Sequence, residues 1–127
     1  MKRIAIIGAS KDRAKFGNKA VRGFGKQGYE VYPVHPTEEQ IEGWSVYRSV
    51  RDVPERPELV SVYLAPDRLL KVLPEIAERG CDELWLNPGT ESEAVLTEAR
   101  RLGLNVIQAC SLVGHGMSPS GLGLEEG

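Results

Sequence analysis

The residues with the most chemistry in this chain stand together near its start. An apolar run, Ile4 to Ile7, ends in Gly8-Ala9-Ser10, and Lys11, Arg13 and Lys15 follow within five positions. Glycine permits a tight turn and lets a ligand come close to the backbone. The small Ala9 and Ser10 leave backbone N–H groups open, and a helix starting just beyond them adds the positive end of its dipole. That combination suits an anion, above all a phosphate. Each cation taken alone reads as readily as a solvated surface charge. As a set beside a glycine turn, they favour anion binding.

The same loop lacks what other chemistries need. The dinucleotide pattern GxGxxG is absent, because Ser10 and Arg13 stand where its second and third glycines belong. The carboxylate that would hold an NAD ribose after the second strand is replaced by Val34-His35-Pro36. This disfavours NAD and suits a ligand with an extra phosphate, such as NADP or coenzyme A. Ser10 is not in a G-x-S-x-G elbow. Cys81 and Cys110 form no CxxC, and no His/Cys/Asp/Glu group has metal spacing. His35 reads as a wall contact rather than a base. His115, between Gly114 and Gly116, is either solvated or folded back over the site.

These loops need elements to position them. Apolar runs predict strands over Lys2–Ile7, Tyr29–Val34, Leu59–Leu64 and Glu83–Leu86, with a fifth starting at Asn105–Ile107. Phe16, Ala20 and Phe24 share one face of a helix that Gly28 ends, and Gly17, Gly23 and Gly25 in it imply close helix–sheet packing. A second helix over Asp67–Arg79 buries Leu69, Leu73, Ile76 and Ala77, with Pro74 marking a kink or a late start. A third carries a Thr90/Glu93 capping box and ends at Gly103. Residues 39–58 read as irregular, anchored by Trp44 and Tyr47, with room for one short helix.

Near-continuous apolar strands joined by helices define an α/β fold: a Rossmann-like doubly wound parallel sheet with helices on both faces, in a single domain. The simplest strand order is 3-2-1-4-5, which puts a ligand at the carboxyl ends of strands 1 and 4. Cys81 and Cys110 then lie at opposite ends of the sheet, too far apart to pair. The domain is expected to span 1–116, with a flexible tail over 117–127.

Composition narrows the class further. The chain has 127 residues, 41% hydrophobic and 27% charged, which is enough for one domain with a core. Sixteen Lys+Arg against 18 Asp+Glu leave a net charge of −2, which argues against a nucleic-acid coat or a polybasic membrane anchor. Aromatics at 6% argue against base-stacking platforms. No apolar run is long enough for a membrane span or a signal core, so a cytoplasmic location is expected.

Gly8-Ala9-Ser10, Gly28-Tyr29-x-Val31-Tyr32-Pro33-Val34-x-Pro36, Ile41-x-Gly43, Tyr47, Ala65-Pro66, Trp85-x-x-x-Gly89 and the Cys110/His115 end together resemble the stand-alone CoA-binding domain proteins. These are similar to the N-terminal CoA-binding domain of the succinyl-CoA synthetase α subunit. The resemblance covers roughly residues 2 to 116. It implies that Gly8, Ala9 and Ser10 hold a pyrophosphate, with Arg13 or Lys15 nearby. Val34, His35 and Pro36 would line adenine and ribose, Ala65 and Pro66 the opposite wall, and Asn87, Pro88 and Gly89 the pantetheine arm. One or more of Lys11, Arg13, Lys15 and His35 would take the second phosphate. The chain departs from the family pattern at His35 and Asn87, where Asn and Gln are usual, and at Ala109, where an Arg commonly precedes the cysteine. The ligase's phosphorylated histidine belongs to a further domain outside this sequence. The resulting expectation is a non-catalytic protein that binds coenzyme A or an acyl-CoA as a carrier or sensor. The alternatives are an NADP-type oxidoreductase or a component of an acyl-CoA ligase. A homo-oligomer or an enzyme partner stays open, and Gly8→Val is expected to block the loop at little cost to the fold.

Overall fold

The computed structural model describes residues 2–119. The chain runs β1 (Arg3–Ile7), α1 (Phe16–Lys26), β2 (Glu30–Val34), β3 (Gln40–Ile41), β4 (Trp44–Ser45), a 3₁₀ turn (Val50–Asp52), β5 (Leu59–Val62), α2 (Pro66–Arg79), β6 (Glu83–Leu86), α3 (Glu93–Arg101), β7 (Val106–Gln108) and α4 (Ser111–Gly114). Five of the strands form one parallel sheet in the order β2-β1-β5-β6-β7. The other two, β3 and β4, pair as a small antiparallel hairpin. Its turn residues Glu42 and Gly43 both have positive φ, 51° and 84°, as a tight two-residue hairpin turn requires.

The α/β class and the five strands agree with the sequence reading, but the strand order does not. The third long strand lies beside β1 instead of outside β2. Two features explain the correction. Pro33 has no N–H, and its carbonyl accepts from Tyr47 N at 2.9 Å on the side away from β1. Its missing donor therefore faces the sheet edge, where a proline costs least. Leu59–Val62 is buried at every position and belongs in the middle. The switch point consequently falls between β1 and β5, not between β1 and β6.

Both sheet faces are covered. Alternation along β1 sends Ile4 and Ile6 to a core shared with Ala20, Val21 and Phe24 of α1 and with Leu112 of α4. Ala5 and Ile7 go to the opposite core, with Leu69, Leu73 and Ile76 of α2 and with Val95 and Ala99 of α3. Removing each such aliphatic side chain from water contributes about 1.5–3 kcal/mol. The crossover through α1 and those through α2 and α3 step in opposite directions across the sheet on opposite faces, as connections of one hand must.

Local signals were mixed. Gly28 and Gly103 follow their helices with φ of +92° and +77°. The third helix, however, is capped by Ser92, whose hydroxyl accepts from Val95 N at 3.1 Å. Thr90 instead donates to Asn87 O at 2.7 Å. Helix α2 begins at Pro66 and continues through Pro74, so it does not start late. The stretch read as irregular holds the hairpin and the 3₁₀ turn. The segment after Cys110 forms α4, and Met117 is buried. The expected tail lies outside the described residues from position 120 onward.

Cys81 and Cys110 are both free. Burial pushes the Cys81 thiol up to about 11. Its protonated form is thus held to a higher pH in the folded chain than in the unfolded one. The stability this contributes is present below the ordinary thiol range and is lost as pH rises toward 11. Alkylation of Cys81 in the native protein should be slow at pH 8 and accelerate toward pH 11, read by peptide mass spectrometry. Rapid labelling at pH 8 in the folded state would contradict the buried thiol.

A second test concerns Gly17. A Cβ there would lie 2.3 Å from the Gly8 carbonyl oxygen, which is backbone and cannot swing aside. In an ordinary helix, Gly→Ala stabilises by about 1 kcal/mol. Here Gly17→Ala should instead destabilise by about 1–3 kcal/mol, as overpacking does. Urea unfolding checks the sign.

Candidate functional site

The loop after β1 is held between the end of β5 and the start of α1. Gly8 has φ +87°, and a Cβ on it would meet the Tyr63 carbonyl oxygen at 2.8 Å. Its N–H donates to Val34 O at 3.3 Å, which joins the loop to the end of β2. Because the clash is with the backbone of Tyr63, directly after β5, Gly8→Val would disturb the end of the sheet as well as the loop. The expectation of a clean block is therefore corrected.

The rest of the loop is tied down by side chains. Asn18, fully buried in α1, donates through Nδ2 to Ser10 O at 2.9 Å and to Glu42 Oε2 at 3.0 Å. Arg22 reaches Asn18 Oδ1 at 2.7 Å and Arg13 O at 2.9 Å. Ser10 Oγ accepts from Asp12 N, and Asp12 Oδ1 accepts from Ala14 N, each at 3.0 Å. Helix α1 starts with Lys15 as its N-cap, and Lys15 makes no side-chain cap. An ammonium has no oxygen to offer the first turn. The N–H groups of Ala9, Ser10, Phe16 and Gly17 accordingly have no hydrogen-bond acceptor among the described residues. Four open donors and the positive end of an eleven-residue helix are features that favour an anion.

Two cavities open at this loop. One, of about 380 Å³, runs from Gly8, Ala9, Ser10 and Lys15 to Val34, His35 and Pro36, with Arg48 and Arg68 also on its wall. The other, of about 300 Å³, runs from Gly8 and Lys15 past Phe16 to Ala65, Pro88, Gly89 and Thr90. Gly8, Lys15, Tyr63 and Leu64 line both. The two spaces thus meet at the glycine loop, above the switch point.

Most of the expected site residues come together here. Gly8, Ala9, Ser10, Lys15, Val34, His35 and Pro36 line the larger cavity, and Ala65 and Gly89 line the smaller. Pro66 is the first residue of α2, next to Ala65, and lines neither. Arg13 is turned away, with its Nε 3.7 Å from Glu42 Oε2. Lys11 pairs with Glu38 at 3.1 Å.

Asn87 is 2% exposed and faces the core, not a ligand arm. It donates to Ser61 Oγ at 2.9 Å and Val62 O at 2.8 Å, and it accepts from Ser111 N at 2.8 Å. Ser111 Oγ lies 2.8 Å from Ser61 Oγ and 3.0 Å from Tyr63 Oη. Burial holds the Tyr63 hydroxyl above its ordinary range, so it stays protonated in this network.

The two histidines have structural partners. His35 Nδ1 accepts from Thr37 N at 3.1 Å and Glu38 N at 3.0 Å, which places the ring proton on Nε2. His115 packs on Phe24 and Trp85, with ring centroids 5.1 and 5.0 Å away, and its Nδ1 lies 2.7 Å from Ser111 O. It is half-buried and lines neither cavity; it packs on the α1 side of the sheet. Among the described residues no group of three or more His, Cys, Asp or Glu could hold a metal. No helix there is long and apolar enough to cross a membrane.

The sequence reading missed Arg48, Arg68, Tyr63 and Phe16. Arg68 was within reach, as it lies in the first turn of a helix that follows a strand at this edge. Arg48 lies in the stretch between β4 and the 3₁₀ turn, where no periodicity marks it.

The family model described as "CoA binding domain" matches residues 2–116. The α subunit of ADP-forming acetate–CoA ligase II from Pyrococcus furiosus is 35% identical over 78 residues, which are 61% of this chain and 17% of that protein. The chain therefore spans less than a fifth of that relative's length. A conserved hypothetical protein from Pyrococcus furiosus superposes with a TM-score of 0.78 at 35% identity, over 87% of this chain and 93% of that one. A Thermus thermophilus protein superposes with a TM-score of 0.82 at 30% identity, over 90% and 87%. With its glycine loop at the switch point and a family match along nearly its whole length, the chain belongs to the CoA-binding domain family.

Proposed function

We propose that the two joined cavities bind coenzyme A or an acyl-CoA, and that the chain acts as a carrier or sensor without chemistry of its own. The observation that carries this reading is the start of α1. The N–H groups of Phe16 and Gly17 have no acceptor among the described residues, its N-cap is a lysine, and both cavities meet there. A pyrophosphate would lie on the amides of Ala9, Ser10, Phe16 and Gly17, with Lys15 beside it. His35 Nε2 would donate to the ribose or adenine, next to Val34 and Pro36. The arm would leave past Ala65 and Gly89. Bound coenzyme A supplies a thiol for acyl attachment, and the chain's own residues bind and orient it. His35 Nδ1 and His115 Nδ1 are already in hydrogen bonds to backbone groups, which supports a binding role over an acid–base one.

A second reading, a component of an acyl-CoA ligase, is favoured by the acetate–CoA ligase relatives. Coenzyme A-dependent ATP cleavage by the pure protein would establish it over the first. Turnover of NADPH with a carbonyl substrate would instead move the chain into the redox class.

Isothermal titration with coenzyme A tests the proposal. Binding should weaken as salt rises, because exposed phosphate contacts are screened. Lys15→Ala should weaken it by about tenfold, the scale of one charge-assisted phosphate contact. Absence of heat at millimolar coenzyme A would overturn the reading. A salt-independent affinity would remove the anion site from it.

A further inference from the structure

We infer that Arg48 and Arg68 form a subsite for a phosphomonoester on the adenosine ribose. They would make the larger cavity selective for a 3′-phosphorylated nucleotide over its dephosphorylated form. This rests on the coenzyme A reading and assigns the second phosphate to residues other than those next to the glycine loop.

The loop's own cations are poorly placed for that task. Lys11 is paired with Glu38, and Arg13 lies beside Glu42 and lines neither cavity. His35 offers a single N–H. Lys15 stands at the meeting point of the two cavities, where the pyrophosphate would sit. A second phosphate near the ribose needs other donors.

Arg48 and Arg68 supply them from two different elements. Arg48 follows Tyr47, whose N–H and C=O bond to Pro33 and His35 and so fix its backbone along the edge of β2. Its Nη1 donates to the Glu38 carbonyl, which holds the guanidinium next to the 35–38 turn. Arg68 is the third residue of α2, where a cation opposes the helix dipole. It forms no ion pair with an acidic side chain among the described residues. Both side chains are solvent-exposed, so neither is needed for the core. With Lys15 they give the cavity three cations and no carboxylate on its wall, in a chain whose net charge is −2. A phosphate arriving with the ligand would supply the acidic partner that Arg68 lacks among the described residues. Guanidinium groups suit a phosphomonoester because they donate in a planar, two-pronged arrangement.

The experiment is a titration of the wild type, Arg48→Ala, Arg68→Ala and the double variant, each with coenzyme A and with dephospho-coenzyme A. Circular dichroism and urea midpoints verify that the variants fold. The wild type should prefer coenzyme A by about tenfold or more, the scale of charge-assisted contacts to one phosphate. The double variant should bring the two affinities within about threefold of each other, chiefly by weakening coenzyme A, with smaller losses in the single variants. An unchanged preference in the double variant would overturn the arginine assignment while leaving coenzyme A binding intact. Equal wild-type affinity for the two ligands would overturn the phosphate subsite itself. No wild-type binding of either ligand would overturn the underlying reading together with this one.

Discussion

The contact on which the rest depends is between two backbones. The carbonyl of Gly8 approaches α1 so closely that a single methyl group at Gly17 would lie 2.3 Å from it. On the other side of the loop, a methyl group at Gly8 would lie 2.8 Å from the carbonyl of Tyr63. Two glycines therefore let a loop, a helix end and a strand end share a space with no room for a β-carbon. The consequence is electrostatic as well as steric. With no side chain interposed, Ala9 and Ser10 line the larger cavity and Phe16 and Gly17 the smaller one, on either side of the Gly8–Lys15 opening that both cavities share. The strand order serves the same end. Placing β5 beside β1 is what brings Tyr63 against Gly8, and it turns the gap between the two strands' carboxyl ends into a cavity.

The half of the site beyond β5 is kept in place differently, by buried polar groups. Asn87 is positioned at the end of β6, yet its amide is used by Ser61, Val62 and Ser111. Each of these bonds contributes about 1 kcal/mol net, but leaving any of the groups buried and unpaired would cost more. The network thus rigidifies the strand ends that carry Tyr63 and the Pro88-Gly89 turn. Phe16, the first residue of α1, is half exposed and faces the smaller cavity, a contrast with Phe24 on the next turns, which is fully buried.

The strands and helices were legible because their signals are local. Apolar runs, alternation between faces and glycines after helices depend on a few neighbouring residues. The glycine loop was legible for the same reason. Strand order was not, because it depends on which strand can tolerate an edge, and the cue was one residue, Pro33, in an otherwise ordinary apolar run. The capping of α3 failed in the same way. Thr90 and Ser92 are both competent caps, and only the bond from Thr90 to Asn87 O decides between them. Asn87 and Arg13 were placed by analogy with position in a motif. Their actual partners, Ser111 and Glu42, come from segments 24 and 29 residues away, distances that no motif spans.

The cations show why proximity in sequence is a weak guide to charge at a site. Lys11, Arg13 and Lys15 lie within five residues, yet the first two have carboxylate neighbours from the 38–42 segment and only Lys15 faces the cavities. A lysine or arginine on an exposed loop gains little by pairing, on the order of 0–1 kcal/mol, so such pairs form wherever geometry permits. A cation left without a carboxylate beside a cavity is the more informative case. Among the described residues Arg68 and Lys15 are such cations, one in the first turn of α2 and the other at the N-cap of α1, both where the helix field disfavours them. In the free protein each adds to the positive potential at the same opening. Under the proposed reading, a multiply charged anion at that opening would be attracted by both helix ends and both side chains together, so its affinity would draw on the backbone amides and on the side-chain charges at once.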